Sequence, residues 1–168
     1  MRVLLSLLAV SGCAVVDVGE TCMTYSDIQV PAMPTGATSL ATSFSLDDLG
    51  PFSSLAGDGF TLSFTRAEVR TTSGIDNFGF VRDATVKVAS NNPQSTLPTV
   101  EVLGCDDCTI GSDTAELEVA GASTIAAAPY VESGSLAVTL GFVGSAPSVA
   151  WTMDADVCMT GSAQFKAY

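Results

Sequence analysis

The chain has 168 residues, of which 47% are hydrophobic, and its 6 basic and 18 acidic residues give a formal net charge of −12. It contains no histidine, which excludes Ser-His and Cys-His catalytic arrangements and removes the commonest metal ligand. Because so acidic a chain offers no basic surface to phosphates, we expect no nucleic-acid partner.

The first twelve residues have the layout of a signal peptide. Arg2 is followed by an apolar run over residues 3–10 and by the small residues Ser11 and Gly12. A positive residue, a short apolar region and small residues form the usual order of such a segment. The run is too short to span a bilayer as a helix, which takes about 20 apolar residues. We therefore predict that residues 1–12 are a removable signal peptide.

The four residues around the end of this segment indicate where the protein is located. The residues Val10-Ser11-Gly12-Cys13 resemble the lipobox of bacterial lipoproteins, in which the cysteine is diacylated on sulfur and becomes the mature N-terminus. The resemblance covers residues 10–13 and implies a lipid on Cys13, with the membrane as partner through that lipid. Since Ala14 follows instead of Asp, it implies the outer membrane of the cell envelope. Ordinary secretion, with cleavage after Gly12 or Ala14, is the alternative.

The rest of the chain reads as one domain of short strands. Alternation of apolar and polar residues with a period of two is typical of half-buried antiparallel strands. It occurs over residues 60–64, 84–88, 115–119, 136–142 and 149–157, and Gly, Pro and Asn clusters separate these segments. We predict an all-β, two-sheet antiparallel β-sandwich, immunoglobulin-like or jelly-roll, over residues 22–168. Residues 13–21 are expected to be a short lipid-anchored N-terminus ahead of it.

The cysteines are expected to form structural disulfides. Four remain once Cys13 is set aside, and an exported chain meets oxidising conditions in which thiols pair. A bond within "GCDDC" closes a small ring, and a bond between "TCMTY" and "DVCMT" joins the first strand to the last. We therefore expect the pairs Cys105–Cys108 and Cys22–Cys158.

Two alternatives for the C-x-x-C motif stay open. All four cysteines could form a zinc site, or Cys105 and Cys108 could be a redox pair. A reactive pair needs a stabilised thiolate, however, and the acidic residues Asp106 and Asp107 lie between these two thiols. Zinc sites of this kind usually combine two short cysteine pairs, which the separation of Cys22 from Cys158 does not provide.

Paired acids are the remaining candidates for chemistry. Asp47-Asp48 and Asp106-Asp107 are sequence neighbours, whose side chains point to opposite faces of a strand. Asp154 and Asp156 share the face opposite Trp151, which we expect to meet solvent. We predict no catalytic residue, no metal and no cofactor.

The exclusions favour a function without chemistry. We expect an exported lipoprotein whose β-sandwich is a binding, scaffold or surface module near the membrane, with a protein or glycan ligand. A cell-envelope hydrolase that uses carboxylates, Ser or Thr in a cleft is the alternative.

Overall fold

The structure is a computed structural model that describes residues 13–47, 49, 52, 59–108, 114–131 and 135–166. The expected signal peptide, residues 1–12, and Asp48 lie outside the described residues. The described residues form eight strands: β1 (Cys13–Val30), β2 (Ser39–Leu46), β3 (Thr61–Ser73), β4 (Val81–Ser90), β5 (Val100–Cys105), β6 (Glu116–Ala126), β7 (Leu136–Gly144) and β8 (Trp151–Lys166). Among these residues, no helix is long and apolar enough to cross a membrane.

The strands form two four-stranded antiparallel sheets, in the orders β1-β8-β3-β6 and β2-β7-β4-β5. The first strand pairs with the last, the second with the seventh, the third with the sixth and the fourth with the fifth. This nested pairing is that of a long hairpin wrapped into a sandwich, the jelly-roll arrangement of eight strands. The predicted all-β sandwich is confirmed, and the strand order is that of the jelly roll.

The core lies between the two sheets and is formed by the inward residues of the alternating segments. Phe60, Leu62 and Phe64 are fully buried, and so are the matching residues of β4, β7 and β8. Two residues that begin predicted alternating segments are exposed instead of buried. Ala115 and Val149 are exposed because each precedes the first paired residue of its strand, β6 or β8.

The register defines two ends of the sandwich. Cys13 lies opposite Lys166 at one end, and Val30 lies opposite Trp151 at the other. We call the first the Cys13 end. The second, here the loop end, holds the connections 31–38, 74–80 and 145–150, with residues 106–108 that follow β5.

The edge strand β1 runs along one side of its sheet. Residues 13–18 pair with residues 161–166 of β8, and the pairing resumes at Thr21 after an irregularity. A second irregularity lies between Tyr25 and Ile28, where Asp27 has a φ of 57°. The residues expected as a lipid-anchored segment, 13–21, therefore lie within β1, and no free chain separates Cys13 from the sheet.

Candidate functional site

An open cavity of about 730 Å³ lies at the loop end. Its walls come from the starts of β2 and β4, the end of β7 and the residues next to them in the chain. They are lined by Thr38, Gly79, Phe80, Val81, Arg82, Val143, Gly144 and Ser145. Loops held by a rigid sandwich are a common place for binding surfaces.

Backbone hydrogen bonds between separate connections build this cavity. The Gly144 N–H donates to the Thr38 carbonyl at 2.9 Å, and the Ser145 N–H donates to the Phe80 carbonyl at 3.1 Å. A Cβ atom on Gly144 would lie 1.8 Å from the Phe80 carbonyl oxygen, far inside van der Waals contact. Glycine at this position is what allows β7 and the connection before β4 to approach so closely.

The Phe80 ring, which lines the cavity, belongs to a cluster of aromatic rings. The Phe80 ring packs edge-on against Trp151, with centroids 6.1 Å apart, and Phe78 packs in the same way at 5.8 Å. Phe142 lies 6.3 Å from the same indole. The Trp151 Nε1 is buried without a hydrogen-bond acceptor in the part of the chain that the structure describes. Phe80 therefore packs against the buried aromatic cluster that contains Trp151.

Arg82, which lines the cavity, forms an ion pair with Asp83. Arg82 donates from Nε at 3.0 Å and from Nη2 at 2.8 Å to the same oxygen of Asp83, Oδ2. These hydrogen bonds lower the pKa of the Asp83 carboxyl and raise the pKa of the Arg82 guanidinium. The Asp107 N–H donates to Asp83 Oδ1 at 3.4 Å. Asp83 is therefore held ionised as an acceptor and is not a proton donor.

The short disulfide lies beside this ion pair. Cys105 and Cys108 are bonded, with Cα atoms 5.6 Å apart, and the Cys108 N–H donates to the Arg82 carbonyl at 2.8 Å. The small ring thus fixes the end of β5 against the start of β4.

The long disulfide joins Cys22 and Cys158, which are register partners on β1 and β8 with Cα atoms 4.0 Å apart. Both predicted pairings are confirmed. The two bonds belong to different sheets, so the four cysteines do not form a common zinc site.

The other predicted acids lie on the outer face of the β1-β8-β3-β6 sheet. Asp156 Oδ2 accepts from Arg70 Nη1 at 2.9 Å, and the same guanidinium contacts Glu68 at 2.9 Å and Glu116 at 3.2 Å. Asp154 accepts from the Asp27 N–H at 3.0 Å. The two aspartates share the face opposite Trp151, as expected, but a network of hydrogen bonds and ion pairs holds them.

The lining of the cavity does not include the acid pairs Asp106-Asp107 and Asp154/Asp156. Asp106 and Asp107 are near it, whereas Asp154 and Asp156 lie on the outer sheet face. Within the described ranges, no group of three His, Cys, Asp or Glu side chains could hold a metal ion. Sequence reasoning missed the cavity because its walls come from segments that only the strand order brings together.

The nested pairing and the two sheets define the class of this protein as a jelly-roll β-sandwich. No family model matches the chain, and no curated protein matches it. Solved structures do resemble it, at low identity.

One such structure is the infectious bursal disease virus VP2 subviral particle, with 14% identity and a TM-score of 0.44 over all of this chain and 42% of that chain. The chain thus spans less than half the length of that protein. A bacterial lipoprotein from Bacteroides thetaiotaomicron has 10% identity and a TM-score of 0.37, with 97% and 92% of the two chains covered. A carbohydrate-binding module of the beta-sandwich superfamily has 9% identity and a TM-score of 0.33, with 94% and 58% covered. These likenesses concern the fold alone.

Proposed function

We propose that this protein is an exported bacterial lipoprotein, held by lipid on Cys13 to the outer membrane of the cell envelope. Its jelly-roll domain acts there as a non-catalytic binding or scaffold module. The observation that carries the proposal is the placement of Cys13 and of the cavity at opposite ends of the sandwich. A lipid on Cys13 would hold one end at the bilayer and leave the cavity turned away from it.

The charge of the chain is consistent with a covalent anchor. A net charge of −12 opposes adsorption to an anionic membrane surface. Electrostatic attraction therefore does not hold the protein at the membrane. Two acyl chains on one cysteine give stable anchoring, whereas a single chain binds only marginally. Membrane residence in this protein therefore depends on the modification of Cys13.

The chemistry of the loop end favours binding over catalysis. Asp83 is committed to Arg82, and a carboxyl with a lowered pKa is a poor general acid at neutral pH. Thr38 and Ser145 contribute hydroxyl-bearing side chains, while Phe80 adds a partly exposed ring. A rigid wall of hydrogen-bonding groups and one aromatic ring suits recognition of a polar ligand, protein or glycan, and a nucleic-acid partner is not expected.

The anchor is tested by labelling cells with a radioactive fatty acid. The wild-type protein should incorporate the label, partition into detergent and accumulate as a larger precursor when signal peptidase II is inhibited. A Cys13→Ser protein should lose all three properties, while Ser11→Ala, which keeps a small residue, should retain them. An unlabelled wild-type protein in the soluble fraction would overturn the proposal.

Binding at the loop end is tested by photo-crosslinking in cells. A photoreactive amino acid at Ser145, on the cavity wall, should trap a discrete adduct of constant mass. The same residue at Ser43, exposed on the outer face of β2, is the matched control and should trap none. Equal adducts from both positions, or none from Ser145, would contradict a binding role for the cavity.

A further inference from the structure

Two of the exposed large hydrophobic residues lie next to each other beside the proposed anchor. Val15 and Val16 are 54% and 43% exposed, and Val149 is 50% exposed. The first two follow Cys13 by two and three residues on β1, whereas Val149 lies at the loop end. Singly exposed apolar residues are common on protein surfaces, so it is the position of Val15 and Val16 beside Cys13 that sets them apart.

The backbone pairing with β8 holds both valines close to Cys13. Val15 pairs with Gln164 and Val16 with Ala163, in the same ladder that pairs Cys13 with Lys166. A strand advances about 3.3 Å per residue, so both valines lie within roughly 10 Å of the Cys13 Cα. The polar layer on each side of a bilayer is about 5 to 8 Å thick. A lipid on Cys13 would bring both residues to that layer.

We propose that the first residues of β1 dock into the lipid bilayer, with Val15 and Val16 in the boundary between headgroups and acyl chains. This inference rests on the proposed lipid on Cys13. Successive residues of a strand point to opposite faces, so a flat protein partner on one face would cover only one of the two valines. End-on entry of the strand into lipid covers both.

The flanking charges set the depth. Asp17 is exposed directly after the two valines, and a carboxylate is costly to bring into hydrocarbon. Entry therefore stops at Asp17. At the other side, the backbone of Lys166 holds the register position opposite Cys13. The contact is thus limited to the tip of the β1–β8 pair.

Tryptophan substitution with brominated lipid measures this contact directly. The full lipidated chain carrying V15W, V16W or V149W is reconstituted into vesicles of phosphatidylcholine and phosphatidylglycerol, three to one, with part of the phosphatidylcholine dibrominated. The native Trp151 is buried at the loop end and gives a constant background. V149W is the matched control because Val149 is about as exposed as Val15.

The V15W and V16W proteins should show a blue-shifted emission and quenching several times stronger than that of V149W. The fatty-acid label is measured on the same samples. Label with equal quenching in all three variants would overturn the docking and leave the lipid anchor intact. Absence of label would overturn the lipid anchor and this inference with it.

Discussion

At the scale of single residues, the contact between Arg82 and Asp83 organises the loop end. One carboxylate receives two hydrogen bonds from the guanidinium and one from the backbone of Asp107. The carbonyl of Arg82 in turn receives the N–H of Cys108. Arg82 and Asp83 therefore couple the start of β4 to the small disulfide ring. Arg82 also lines the cavity.

This coupling makes stability depend on pH in a defined direction. The folded-state pKa of Asp83 lies below its ordinary value of 3.8, so its contribution is complete above that value and disappears as the pH falls through the folded pKa. Asp83→Asn should lower the urea midpoint at pH 6, and the difference from wild type should shrink at pH 3 and below. Urea unfolding followed by circular dichroism from pH 2 to 7 measures this.

Asp17→Asn is the control for that experiment. Asp17 is an exposed residue of β1, far from the cavity, and its replacement should change the urea midpoint little at any pH. A difference between wild type and Asp83→Asn that stayed constant down to pH 2 would show that Asp83 stabilises the fold by means other than its charge.

Some residue-level features follow from the sequence and others do not. The cysteine pairs were predictable from the expectation of export, because thiols pair under oxidising conditions, and because the C-x-x-C ring is local. The cavity was not predictable, because Thr38, Phe80 and Gly144 are far apart in the chain. Nothing in their local sequence says that their backbones meet.

At the scale of elements, β1 begins earlier than predicted, and no predicted alternating segment covers β2 or β5. Strands with strict alternation, such as β4 and β7, were predicted close to their observed positions. The segment "CAVVDVGETC" breaks the period of two, because Val15 and Val16 are both exposed and the pairing shifts between Val18 and Thr21. A bulge inserts an unpaired residue and moves the following side chains out of phase. The alternation pattern therefore did not predict that β1 begins at Cys13, because the irregular register disrupts the pattern there.

The disulfide between β1 and β8 should be the more stabilising of the two. Its partners are 136 positions apart, against 3 for Cys105 and Cys108. The chain-entropy model gives about 5 kcal/mol for the long loop and about 2 kcal/mol for the short one. The Cys22→Ala/Cys158→Ala protein should lose more unfolding free energy than Cys105→Ala/Cys108→Ala, and its β1 should be cleaved first by protease.

Urea unfolding and limited proteolysis with mass spectrometry provide the measurements for this pair of variants. Equal losses in the two double variants would mean that the sheet holds β1 without help from the covalent bond. A larger loss on removing the short ring would instead place the weak point of the fold at the loop end.

At the scale of the whole molecule, the sequence predicts the sandwich but not the strand order. Alternation shows that each strand has one buried face, and repeated turns show that the strands are short. Neither tells which strand lies beside which, since the pairs β1–β8 and β2–β7 bring together residues at least 90 positions apart. That choice depends on the packing of all eight strands at once.

The strand order predicts that shortening the first strand, β1, and removing the last strand, β8, have unequal effects on stability. β8 lies between β1 and β3 in its sheet, so a chain ending at Ala150 should lose the sheet and show no cooperative unfolding. Removal of residues 13–18 takes only part of an edge strand and should leave a cooperative transition at a lower urea midpoint. Near-ultraviolet circular dichroism and urea titration distinguish the two results, and a cooperative transition in the first variant would contradict the observed order.

The pairing of β1 with β8 also sets the order of events during biogenesis. The strand that holds Cys13 completes its hydrogen bonds only when residues 161–166 have been synthesised and can pair with it. An enzyme that lipidates Cys13 and cuts before it must reach an extended, unpaired backbone. If Cys13 carries a lipid as proposed, its modification therefore precedes folding. The chain is then attached to the membrane before β8 pairs with β1.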